Sequence, residues 1–598
     1  MPKLVDTTIR LLSQEPLAGQ VPTGELLRIG EILDKAGFAC LEVSGGGVFD
    51  AAVRRAVESP WERIRALDAR TTTPLGIALR GRFLVGSKPV SADVVRRFIA
   101  SASENGIDVF RLHDPLNDVS NLREAGEAIV SAGKTFHAGL VFSSGQAGAV
   151  DTLVEQAKPI PELGATLVVI NDPTDALKPH ITEELVQRIA EATGLPVGLY
   201  VQGAAGTGLS NALVATRVGA ELVATAVYPL ALTLHRVSSE SLVEMLHGLG
   251  RDTGVDISRL WEADDLIDEY IGDEPVAPLT PRIAVRAAEY DLPAGLVAVL
   301  DGLLRRSAAE DRLLDTLEEV GRIRAEVGWP PLASPIGRIL AQQAFLNVLH
   351  ARRYGYVIDQ FRQLVNGSFG ETPGPIDPEV VRTVGLLGGE SVLADELSVA
   401  EVAEEAEGLA ASEEDLVLIA LFGDEARILL ETIRTRHAPE TSLGGDVDAT
   451  RAERIRELVK IVQESGVGEI EIEDEGMRVS VRKADEMPVA VVASAPSESS
   501  DDLPVEVGLS VDGVLRIESP MPGVIYRSPN PGAPAFVDVG DVVEEGQTLC
   551  LIEAMKLFNE LKAERDGLVR AVYVDNAQPV EYGQLLFELE PVTGPPTL

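Results

Sequence analysis

Short apolar runs recur along the first part of the chain, each followed by a stretch with apolar residues at helical spacing. They are L-V-D-T-T-I-R (4–10), F-A-C-L-E-V-S-G (38–45), P-L-G-I-A-L-R-G (74–81) and V-F-R-L-H-D (109–114). The later ones are T-F-H-A-G-L-V-F (135–142), T-L-V-V-I-N-D (166–172), P-V-G-L-Y-V-Q-G (196–203) and L-V-A-T-A-V (222–227). Rich in Val, Ile and Leu and without strict alternation, they have the pattern of parallel strands covered on both faces. Eight strand-plus-helix units predict a closed (β/α)8 TIM barrel over 1–255, with a doubly wound open sheet as the competing architecture.

From 256 to 445 the apolar spacing is helical throughout, as in L-V-A-V-L-D-G-L-L-R-R (296–306), which predicts a helical annex. Residues 446–483 combine a helix, R-I-R-E-L-V-K-I-V-Q-E-S-G, with alternating E-I-E-I-E and R-V-S-V-R, a small helix-hairpin unit. Residues 484–510 are Ala, Ser, Pro and acid, the composition of a flexible linker. In 511–592 the turn signals S-P-M-P-G, N-P-G, D-V-G-D, E-E-G-Q, R-D-G and V-D-N-A separate short apolar strands, predicting a small all-β domain.

Composition narrows the function classes. With 94 acidic against 52 basic residues the formal charge is −42, which argues against nucleic acid and anionic membranes as partners. The two cysteines, Cys40 and Cys550, fall in different predicted domains, which points to a reducing compartment. The N-terminus lacks a signal-peptide pattern, and the longest apolar stretch, Leu222 to Leu234, is too short to span a bilayer and contains Pro229. A cytoplasmic protein is expected.

The sharpest chemical signal is L-C-L-I-E-A-M-K-L-F-N-E-L (549–561), two strand-like halves around A-M-K that set Lys556 at a hairpin tip. Pro522 of S-P-M-P-G stands 34 residues upstream of Lys556. This pairing resembles the biotinyl domain of biotin-dependent carboxylases, in which the lysine carries amide-linked biotin. The resemblance assigns Glu553, Ala554, Met555 and Lys556 to the attachment motif. Lipoyl domains share the architecture but lack the methionine. The loop S-P-N-P-G-A-P-A-F-V-D-V-G (528–540) is similar to the "thumb" of the acetyl-CoA carboxylase carrier protein, and residues 451–483 resemble that carrier's N-terminal segment.

The first 440 residues resemble the carboxyltransferase domain of pyruvate carboxylase, the oxaloacetate decarboxylase α subunit and transcarboxylase. The shared stretches include D-T-T-I-R (6–10), G-G-G-V-F-D (45–50), L-R-G-R-F-L-V-G (79–86) and E-N-G-I-D-V-F-R-L-H-D-P-L-N-D (104–118). That family binds a divalent metal through an aspartate, a carbamylated lysine and two histidines. At the matching positions stand Leu11, Asn171, Tyr200 and Gln202, so the resemblance implies a metal-free barrel. Arg80 matches an arginine that contacts the substrate carboxylate, and His113 and His137 are candidates to face the barrel mouth.

These features together lead to the expectation of a biotin carrier and scaffold subunit of an acyl-CoA carboxylase, most simply acetyl-CoA carboxylase in fatty-acid synthesis, with an inactive barrel. Its expected partners are a separate biotin carboxylase, acyl-CoA carboxyltransferase subunits, a biotin protein ligase and further copies of itself through the barrel region. The alternative is an active carboxyltransferase-plus-carrier subunit of pyruvate carboxylase or oxaloacetate decarboxylase.

Overall fold

The computed structural model describes residues 1–598 apart from 57, 87, 204, 273–279, 351, 387–398, 407, 438–468, 475–476, 483–513, 529–533, 555–556, 564 and 592–598. The predicted runs form the parallel strands β1 (Lys3–Asp6), β2 (Cys40–Gly45), β3 (Leu75–Arg80), β4 (Ile107–His113), β5 (Thr135–Val141), β6 (Leu167–Asp172), β7 (Val197–Val201) and β8 (Leu222–Thr225). Each pairs with the next, and β8 returns to β1 with Asp6 opposite Thr225, so the sheet is a closed barrel rather than an open one. Every residue of β2, β6, β7 and β8 is buried, which is why these segments show no polar face.

Helices follow from Ile257–Ile271 to Asp424–His437, as the spacing predicted. The helix Glu413–Phe422 begins with a capping box of Ser412 and Asp415. It is tied to barrel helices by ion pairs of Arg97 with Glu413 and of Arg65 with Glu414, the latter at 2.6 Å. No helix among the described residues is long and apolar enough to cross a membrane.

Strands β9 (Glu469–Asp474) and β10 (Met477–Arg482) pair antiparallel, the hairpin expected from E-I-E-I-E and R-V-S-V-R. The helix expected before it and the linker at 484–510 lie outside the described residues.

The C-terminal region is all β: β11 (Leu515–Glu518), β12 (Gly523–Tyr526), β13 (Val542–Val543), β14 (Thr548–Ala554), β15 (Leu557–Lys562), β16 (Gly567–Val572), β17 (Gln578–Val580) and β18 (Leu585–Pro591). They make two four-stranded sheets, ordered β11-β18-β16-β13 and β15-β14-β12-β17. Its apolar core is continuous with that of the annex helices Ala294–Arg306, Leu313–Glu326 and Ile336–Leu349.

Candidate active site

Two features converge on one end of the barrel. The first is the hairpin of β14 and β15. Ala554 pairs with Leu557, and Met555 and Lys556, between them in sequence, lie outside the described residues. The S-P-M-P-G motif supports this hairpin from below. Met521 is buried, its Sδ 3.2 Å from Gln342 Nε2 and 3.8 Å from Asn559 Nδ2. A Cβ on Gly523 would stand 2.4 Å from the Glu553 carbonyl oxygen, so only glycine lets β12 close on β14. Gly523→Val is expected to destabilise this domain by about 2 kcal/mol and to lower its biotin loading. Calorimetry and a streptavidin gel shift check this, and an unchanged transition would mean that β12 can move aside.

The hairpin is docked. Gln360 Nε2 donates to the Phe558 carbonyl at 2.7 Å, and the Glu560 N–H donates to Asp359 Oδ2 at 3.3 Å, both from the annex helix Asp359–Val365. The Glu553 carboxylate accepts from the Tyr526 hydroxyl at 3.1 Å and meets Arg54 Nη1 at 3.4 Å. Arg54 sits on the helix Gly46–Arg55, which leaves the end of β2. Arg54 and Asp50 also act electrostatically on Arg338, and Arg338 on Arg80, so a line of charges runs from Glu553, near the hairpin tip, to Arg80.

The second feature is the mouth itself. Gly45, Gly46 and Gly47 pass so close to it that a Cβ would meet Arg10 Cδ at 3.5 Å, Arg80 Nη2 at 2.5 Å and Gln14 Oε1 at 2.8 Å, respectively. Arg80 donates to Ser334 Oγ at 3.2 Å and the Val85 carbonyl at 2.7 Å. Burial, reinforced by Arg338, lowers its pKa to about 10.

Deeper lies an ion pair that the sequence pattern did not single out. Glu42 on β2 and Arg111 on β4 are 4% and 8% exposed, so the pair is fully interior. Arg111 Nε and Nη2 donate to the two Glu42 oxygens at 2.8 and 3.0 Å, and Nη1 donates to Asn171 Oδ1 at 2.9 Å. Arg10 Nε lies 2.9 Å from Glu42 Oε1. Burial would raise the Glu42 carboxyl, but Arg111 and Arg10 outweigh it and hold it down to about 2. The signal was present, since C-L-E-V and V-F-R-L each place one charge inside an apolar strand, but neither names its partner.

The four positions that the resemblance matched to metal ligands, Leu11, Asn171, Tyr200 and Gln202, are placed as follows. Leu11 is wholly buried in the helix Thr8–Leu12. Asn171 and Tyr200 stand opposite each other on β6 and β7. Asn171 is engaged by Arg111, and the Tyr200 hydroxyl accepts from Arg10 and feels the positive charge of Arg236. Gln202 bridges to Arg236 through the backbone. A leucine, two amides and a phenol, with Asn171 and Tyr200 each held by a guanidinium, do not fit a divalent cation. Among the described residues no group of three or more His, Cys, Asp or Glu is placed to hold one elsewhere. His137 lines an interior cavity of about 20 Å³ rather than the mouth. Burial and Arg111 push His137 to about 4 and His113 to about 3, so both are neutral.

A closed α/β barrel joined to a two-sheet domain with an E-A-M-K hairpin defines a class, the biotin-dependent carboxylase subunits. Comparison with known proteins agrees. Residues 1–267 match the HMGL-like family, 288–481 the conserved carboxylase domain and 515–589 the biotin-requiring enzyme family. The chain is 30% identical over 568 residues to a pyruvate carboxylase subunit of Methanocaldococcus jannaschii, covering 93% of this chain and 94% of that protein. It is 29% identical to the 2-oxoglutarate carboxylase large subunit of Hydrogenobacter thermophilus, covering 94% and 90%. The carboxyl transferase domain of Rhizobium etli pyruvate carboxylase has the same fold, with a TM-score of 0.65 at 23% identity, over 81% of this chain and 83% of that one. The chain belongs to the pyruvate carboxylase and oxaloacetate decarboxylase family of biotin-dependent carboxylase subunits and carries covalently bound biotin.

These relatives overturn the expectation of an acetyl-CoA carboxylase carrier serving fatty-acid synthesis beside separate acyl-CoA carboxyltransferase subunits. The stretch at 451–483, expected to be that carrier's N-terminal segment, falls up to residue 481 within the match to the conserved carboxylase domain. The thumb-like stretch spans only 528–540, in sequence between β12 and β13, and a match along nearly the whole chain outweighs it.

Proposed function

We propose that this chain is the carboxyltransferase-and-carrier subunit of a biotin-dependent 2-oxo-acid carboxylase. Biotin is amide-linked to Lys556 by a biotin protein ligase and is carboxylated by a biotin carboxylase on a separate chain. The observation that carries the reading is the contact of Glu553, one pair below the tip of the biotinyl hairpin, with Arg54 of the helix that leaves the end of β2. Relatives of nearly equal length belong to a pyruvate carboxylase and a 2-oxoglutarate carboxylase, which supports a 2-oxo acid as the acceptor. Biotin on Lys556 would supply a carboxyl group carried on its ureido nitrogen, for transfer to the carbon beside the keto group in exchange for that carbon's proton.

The test is reconstitution of the biotinylated chain with a biotin carboxylase, ATP and labelled bicarbonate, offering pyruvate, 2-oxoglutarate and acetyl-CoA in turn. Acid-stable label is expected with a 2-oxo acid and not with acetyl-CoA. Labelled malonyl-CoA would overturn the reading.

A further inference from the structure

The barrel presents a chemical question that its family membership does not answer: what stabilises an enolate oxygen where the residues do not fit a divalent cation? Tyr200, at the C-terminal end of β7, is 8% exposed. The guanidinium of Arg111 lies 4.5 Å and that of Arg10 5.5 Å from its ring centroid. Its hydroxyl oxygen takes a hydrogen bond from Arg10, and the Arg236 guanidinium is near enough to act on it electrostatically. A phenol has one hydrogen to give, and no acceptor among the described residues receives it. Arg236 reaches this point because the segment 226–238 folds back, bridging Gln202 to Arg236 and Ala226 to Ser238. Arg236 donates to the Leu234 carbonyl at 3.0 Å, and its Nε is buried with no partner. The local charges are three guanidinium groups, of Arg10, Arg111 and Arg236, against the single carboxylate of Glu42. The interior cavity behind Tyr200, at about 20 Å³, has room for about one water and none for a substrate. A ligand must therefore approach from the mouth, where Arg10, Gln14, Arg80, Gln202 and Arg236 are all partly exposed.

We infer that Tyr200, with Arg10 and Arg236 behind it, is the electrophilic group of this barrel. Its hydroxyl hydrogen and the free guanidinium N–H groups receive the keto oxygen of a 2-oxo acid and hold the enolate, with no divalent cation between. The inference rests on the reading of the substrate as a 2-oxo acid. Fixed donors aimed at a developing oxyanion in a water-poor site can do the work of a Lewis acid. The positive field of Arg10 and Arg236 outweighs burial and lowers the Tyr200 pKa, which strengthens its O–H as a donor.

The experiment is calorimetric titration of the full-length biotinylated chain with oxalate, a planar dianion shaped like the enolate of pyruvate, in excess EDTA. Oxalate is expected to bind without metal, and Tyr200→Phe and Arg236→Gln are each expected to weaken it about tenfold or more, with thermal transitions close to wild type. Oxalate binding only after Zn²⁺ or Mn²⁺ is added overturns the inference, as does unchanged affinity in both variants. The labelled-bicarbonate assay reports separately on the substrate class. Carboxylation of a 2-oxo acid together with metal-dependent oxalate binding would overturn the metal-free site and leave the proposed function standing.

Discussion

Lys556→Ala is expected to abolish biotin incorporation and every carboxyl transfer, leaving the fold intact. Biotin is joined through an amide, which requires a primary amine, so Lys556→Arg should fail equally although it keeps the charge. The flanking strands already pair up to Ala554 and Leu557, and the hairpin is anchored by Gln360, Asp359 and Met521, all distant from the lysine in sequence. The thermal transition of either variant should therefore stay within about 1 °C of wild type, as for surface substitutions away from such contacts. The internal control is Lys562, the other lysine of residues 511–592, which is ion-paired to Glu560 at 3.1 Å. Lys562→Ala should keep its streptavidin gel shift. Biotin persisting in Lys556→Ala would move the attachment site and detach the E-A-M-K hairpin from the chemistry.

Glu42→Gln is expected to be the most destabilising single-atom exchange in the barrel. It strips the shared carboxylate from two buried guanidinium groups, and removing one partner of such a buried pair costs about 3–5 kcal/mol. The titration of Glu42 leads to a similar figure. Its carboxyl is held at about 2 in the folded protein against an ordinary 4.5, a gap worth about 3 kcal/mol. The sign follows from the direction. A carboxyl with a depressed folded pKa favours the folded state above its unfolded pKa, and that stability is lost as pH falls from about 4.5 toward about 2. Denaturant unfolding at pH 7 should show the full difference between wild type and Glu42→Gln, and at pH 3 a smaller one. A difference independent of pH would mean that lost packing, rather than lost charge, dominates.

The carrier motif could be read from sequence because it is local. Strand, turn and strand follow one another, so E-A-M-K between apolar halves is enough to mark the β14–β15 hairpin, and the glycine of M-P-G is required by one close approach to Glu553. The inner surface of the barrel is different. Glu42 and Arg111 are 69 residues apart and Arg10 and Tyr200 190 apart, and they meet only because the barrel closes in one register. Seen one at a time, Leu11, Asn171, Tyr200 and Gln202 read as losses, and they supported the idea of a silent scaffold. Seen together with Arg10, Arg111 and Arg236, the polar three belong to a cationic lining that can receive an anion.

The order of elements, the barrel, the annex and the two-sheet tail were legible in the linear pattern. Burial on both faces of each strand and the helical spacing after it are written residue by residue. Which charges face one another across the barrel, and that Glu553 near the hairpin tip meets Arg54, were decided by closure of the sheet and by the apolar core shared between annex and tail. A side chain's partner in such a structure is set by the register of distant strands, and local periodicity carries no information about that register.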